Sequence, residues 1–120
     1  MCSSTFNTVT LFRPIGPSEL RRLEESHFAC WPARLPEQPI FYPVTNEAYA
    51  REIASRWNVQ ESGAGYVTRC EVREDFMRRY PIHRVGGAHH TEWWVPAGDL
   101  DELNAHLVGR IEVIASFASR

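Results

Sequence analysis

Proline placement leaves this chain few ways to fold. Pro14 is predicted to stop a first strand, Thr8–Arg13, in which Val9, Leu11 and Arg13 share one face. Ile15-Gly16-Pro17-Ser18 reads as a turn. Pro17 or Ser18 then opens a helix to about His27, because proline's fixed φ suits a first helical turn. Leu20, Leu23 and Phe28 make its buried stripe, and Arg21, Arg22, Glu24 and Glu25 face water. Pro32, Pro36 and Pro39 remove backbone donors and fix φ across Trp31–Pro39. That stretch is predicted to be an ordered, irregular loop at the rim of a cleft. Pro43 interrupts a short strand, Ile40–Val44, and points to a sheet edge.

Downstream the pattern is more regular. Thr45 or Asn46 caps a helix to Trp57, with Tyr49, Ile53 and Trp57 at i, i+4 and i+8. A Gly63-Ala64-Gly65 turn leads to the clearest strand, Tyr66–Val72, with Tyr66, Thr68, Cys70 and Val72 on one face. Glu74–Tyr80 gives at most two helical turns. Strands follow at Ile82–Val85 and Thr91–Val95, separated by a Gly86-Gly87 turn. Leu100, Leu103 and Leu107 mark a last helix, and Gly109–Phe117 a last strand with Ile111, Val113 and Ala115 on one face. The order β-α-β-α-β-α-β-β-α-β predicts a single α+β domain over residues 8–117, behind a flexible segment 1–7.

Composition narrows the chemistry. A chain of 120 residues with 14 aromatics can bury one core. The net charge is −2, and no concentrated basic patch exists to neutralise phosphates, which argues against a nucleic-acid partner. All 13 basic residues besides histidine are arginine, so mechanisms that need a lysine amine are excluded. No run approaches the ~18–20 apolar residues of a membrane span. Met1-Cys2-Ser3-Ser4 lacks a signal peptide's pattern, and Cys2, Cys30 and Cys70 are odd in number and widely spaced. Both features predict reduced thiols in a cytoplasmic protein, with Cys70 a core residue.

Glu92 stands out first. It sits among Trp93, Trp94 and Val95, where a carboxylate is costly unless it is paired or opens on a cleft. The plainer alternative is an edge-strand carboxylate in water. Arg13, held by Pro14 at a strand end, is either a ligand-binding cation or a structural partner of a carboxylate. His89-His90 invites a metal, but neighbours on a strand point to opposite faces, so at most one could join Glu92 and no metal site is expected. Gly86-Gly87 is followed by a strand, so it is no phosphate loop. The Trp31 loop and Phe41-Tyr42 offer aromatic surface for a flat ring.

Three stretches together resemble a known family: TLFRPIGPSELRRLEES (Thr10–Ser26), QPIFYPVTNEAYAREIASRWN (Gln38–Asn58) and TEWWVPAGDLDELNAHLVGRIEVI (Thr91–Ile114). They are similar to short bacterial proteins carrying the label ADP-ribosylation/crystallin J1, and the element order resembles a minimal ADP-ribosyltransferase domain. The resemblance implies split, twisted, antiparallel-rich sheets with three to four helices, and NAD as co-substrate without a metal. It implies Glu92 as the catalytic carboxylate, and Arg13, Phe41, Tyr42, Asn46, Thr68 and His90 around the cofactor. Tyr66-Val67-Thr68 stands where the wider superfamily has a Ser-Thr-Ser strand. His90 stands where arginine-directed members carry Glu or Gln, which argues against arginine as acceptor. The implied function is transfer of ADP-ribose to an unidentified acceptor, a macromolecule among the possibilities. The alternative is a non-catalytic binding or interaction module of the same fold.

Overall fold

The computed structural model describes residues 7–118. Cys2 and nearly all of the predicted flexible segment 1–7 lie outside the described residues. Asn7 is held, its carbonyl accepting the Glu74 N–H at 2.9 Å. The expected alternation is present: β1 (Thr8–Ile15), α1 (Pro17–Glu25), β2 (Ile40–Phe41), α2 (Glu47–Glu52), α3 (Val59–Ser62), β3 (Ala64–Arg73), α4 (Glu74–Met77), β4 (Ile82–Arg84), β5 (Thr91–Trp93), β6 (Val95–Pro96), α5 (Leu100–Ala105) and β7 (Leu107–Ala118). A π-helical stretch, Ile53–Asn58, joins α2 and α3 into one rod.

β1, β3 and β7 form an antiparallel sheet with β3 central; β2 pairs with β6 and β4 with β5, also antiparallel. This is the predicted α+β class, with antiparallel sheets. Leu11, Ile15, Cys70, Val72 and Ile111 cover one face with Leu23, Phe41, Phe76 and Leu103. Val67, on the other face, packs with Val44 and with Ala50 and Ala54 of the rod. Burying this apolar surface on both sides is what holds the sheet flat against its helices. Gly65 permits the close approach, since a Cβ there would lie 2.1 Å from the Ala54 carbonyl oxygen.

Several expectations need correction. β1 continues through Pro14 to Ile15. Phe12 bonds outward to Val44, so the Pro14 nitrogen two residues on also faces away from β3, and no bond to β3 is lost. Pro43 does not mark an edge: the segment 43–45 lies between β1 and β5, with Val44 bridged to both Phe12 and Glu92. Trp31 is buried, and its backbone N–H and carbonyl both bond the Asn104 side chain. The rest of the Trp31–Pro39 loop is irregular, as the prolines require. Leu107 belongs to β7, captured by pairing with Val72. A bulge between Val113 and Ala115 breaks the alternation, so Ala115 packs with Val67 while Ile111 lies in the other core cluster; Val113 is exposed.

Candidate functional site

The segment 43–45 decides where the site forms. Phe12 and Val44 exchange two backbone hydrogen bonds at 3.0 and 2.7 Å, and the Pro43 carbonyl accepts the Trp93 N–H at 2.9 Å. β5 is thereby fixed beside β1, and Glu92 and Arg13 come to line one cleft. Pro14, Gly16, Tyr42, Ile53 and Trp57 complete much of its wall, and its volume is about 370 Å³. Glu19, Gln38, Trp57 and Asn58 also line an adjoining hollow of about 300 Å³, which runs under Arg22, Arg34 and the proline-rich loop. Together these make a polar groove within the ordinary size range of small-molecule sites.

Glu92 and Trp94 share a face, while Trp93 and Val95 are buried on the other, as strand alternation predicts. The Trp94 indole N–H donates to Glu92 Oε2 at 2.7 Å, and the Tyr49 hydroxyl makes a long contact of 3.4 Å to Oε1. Burial and then the Glu92 charge push the Tyr49 phenol above its usual range, so it stays a proton donor toward that carboxylate. The His83 ring stacks on Trp94 at 3.7 Å and holds the indole in place.

Arg13 is only 9% exposed. Its guanidinium grips Glu19 with two bonds of 2.8 and 2.9 Å and lies 4.6 Å from the centre of the Phe41 ring. Its Nη1 reaches the Tyr42 carbonyl at 3.4 Å. Tyr42 is 43% exposed and lines the cleft. Four other predicted cofactor contacts have different surroundings. Phe41 is 1% exposed and lies beneath Arg13 and against Trp31. Thr68 is fully buried, its hydroxyl donating to the Arg13 carbonyl at 2.7 Å. Asn46 caps α2, with Oδ1 accepting the Tyr49 N–H at 2.8 Å and Nδ2 donating to the His89 carbonyl at 2.7 Å. His90 faces Glu52 rather than the cleft. None of the four lines the groove.

The sequence reading missed Trp57 and Tyr49 as site residues. Helical spacing put Trp57 on the rod's apolar stripe, yet it is 62% exposed and lines the groove. The π stretch takes more than 3.6 residues per turn, so it rotates Trp57 away from Ala50 and Ala54. The strand argument for His89-His90 also fails. β5 begins only at Thr91, and both imidazoles reach Glu52 from the preceding turn.

Comparison of the chain with protein-family models, with characterised proteins and with solved structures finds no match.

Proposed function

We propose that the groove binds NAD or a closely related nucleotide, and that Glu92 is the carboxylate of an ADP-ribosyltransferase-like reaction. The observation that carries this reading is that Arg13, Tyr42 and Glu92, from three distant parts of the chain, line one cleft. In such a reaction the nicotinamide–ribose bond breaks and nicotinamide leaves with the bonding electron pair. An acceptor then attacks the ribosyl carbon and loses its proton. Glu92 would hold a ribose hydroxyl and stabilise the developing positive charge. Tyr42 and Trp57 supply aromatic faces for the flat rings of the nucleotide. Arg22 and Arg34, at the far end of the groove, supply planar cations for a pyrophosphate.

A second reading, a binding module without turnover, is favoured by one observation. The Arg13 fork is already filled by Glu19, so the cation predicted to hold a phosphate has little left to offer. One experiment separates the two. Thermal unfolding is followed with and without millimolar NAD, and nicotinamide release is measured for the wild type and for Glu92→Gln. A ligand at 100 times its dissociation constant adds about 2.7 kcal/mol, a rise of several degrees. On the first reading NAD raises the melting temperature, and Glu92→Gln lowers turnover by ~10²–10³ with the fold intact. NAD stabilisation without turnover supports the binding module. Neither stabilisation nor turnover overturns both NAD readings.

A further inference from the structure

We propose that Glu52, His89 and His90 form a binding site for a late first-row divalent metal ion, zinc foremost. The three residues come from α2 and from the turn before β5, and their ligand atoms all lie within 4.8 Å of one another. The two Glu52 oxygens are divided between the histidines: Oε2 meets His89 Nε2, and Oε1 meets His90 Nε2 at 3.1 Å. Tetrahedral ligands at ordinary zinc distances stand about 3.3 Å apart, close to the Glu52 Oε1–His90 Nε2 spacing, and a bound metal would draw the wider pairs together. Two imidazoles with one carboxylate select zinc and its neighbours over magnesium or calcium, which prefer all-oxygen shells. A water would take the fourth position, since His89 is exposed to solvent.

The site is built rather than incidental. The His89 carbonyl is held by Asn46 Nδ2, and the His90 ring stacks on Tyr49 at 4.5 Å. Val85 N–H to the His90 carbonyl and His90 N–H to the Gly87 carbonyl close the turn at 2.9 and 3.0 Å. The Gly87 N–H also donates to His90 Nδ1 at 2.9 Å, which leaves the neutral ring's proton on Nε2, facing Glu52. Metal binding through Nε2 needs the other tautomer, with the ring proton moved from Nε2 to Nδ1 and the Gly87 amide turned aside. His90 is therefore the weaker ligand and His89 the stronger. None of the three residues lines the groove, so this site stands independently of the nucleotide reading. Tyr49 alone connects them, stacking on His90 and touching Glu92.

The test uses the full chain, free of any affinity tag and stripped with a chelator, then titrated with zinc chloride by calorimetry and with cobalt by visible absorption. A single equivalent is expected, with a tetrahedral cobalt spectrum. Glu52→Gln and His89→Ala should weaken binding by at least about tenfold, and His27→Asn should leave it unchanged. Histidine ring nitrogen shifts in the wild type give a second reading that needs no variant: zinc should move Nε2 of His89 and of His90. Absence of stoichiometric binding, binding indifferent to Glu52→Gln and His89→Ala, or zinc shifts confined to other histidines would each overturn the proposal.

Discussion

The two walls of the cleft begin from the same kind of sequence and end in different states. Arg13 and Glu92 are both charged residues set in apolar strands; Glu92 is bridged to Val44, and Arg13 bonds the carbonyl of Tyr42. The Arg13 side chain is buried, doubly bonded to Glu19, and floored by Phe41. Glu92 is half-buried and held by one indole N–H and a long phenol contact. A charge that leaves water must be matched on every side, and Glu19 supplies that match for Arg13. Glu92 keeps part of its hydration, so it needs less. The difference teaches that one wall holds the fold together while the other remains free to meet a ligand.

Breaking the buried wall should have the largest effect. Arg13→Ala leaves Glu19 without its partner, and loss of one member of a buried pair costs about 3 kcal/mol. Thermal unfolding should show a fall of roughly 10 °C; a fall of only a degree or two would mean that Arg13 is not structural. Alkaline pH probes the same side next. Burial pushes the Cys70 thiol up to about 12, well above the ~8.5 of an unfolded cysteine. Above ~8.5 the unfolded chain loses this proton and the folded chain keeps it. Stability is therefore full below that pH and declines until pH about 12, by roughly 2 kcal/mol between 8.5 and 10. Denaturant melts at the two pH values measure it, and Cys70→Ser should flatten the slope. Thr68→Val removes the hydroxyl that satisfies the Arg13 carbonyl and should cost about 1 kcal/mol by urea unfolding.

On the open wall the expected stability effects are smallest. Glu92→Gln keeps the shape and the indole contact, so unfolding free energy should move by less than about 1 kcal/mol. A loss as large as that of Arg13→Ala would erase the contrast and make Glu92 a second structural charge.

Much of this fold was legible in the chain. Alternation put Val9, Leu11 and Arg13 on one face and Glu92 with Trp94 on another, because period-two geometry is local. Asn46 was readable as a helix cap for the same reason, since the bond it makes spans only three residues. The site was less legible. Alternation put Thr68 on the face of Cys70 and Val72, but its partner, the Arg13 carbonyl, is fixed only by pairing with β1. Trp57 read as core because helical spacing assumes an unbroken α-helix, and the π stretch breaks that assumption. His89 and His90 read as opposed because strand alternation was extended to two residues that precede the strand beginning at Thr91.

The sequence by itself determined the order of elements, the α+β class, the irregular proline loop and the absence of lysine chemistry. These depend on backbone sterics, short-range periodicity and composition, which act within a few residues. Only tertiary structure decided that the segment 43–45 lies between β1 and β5, that Glu19 rather than a ligand fills the Arg13 fork, and that Glu52 gathers both histidines. Glu52 and His89 are 37 residues apart, and the Phe12–Val44 bridge spans a comparable stretch. Contacts at that separation are selected by the burial of a whole core, and no local pattern encodes them.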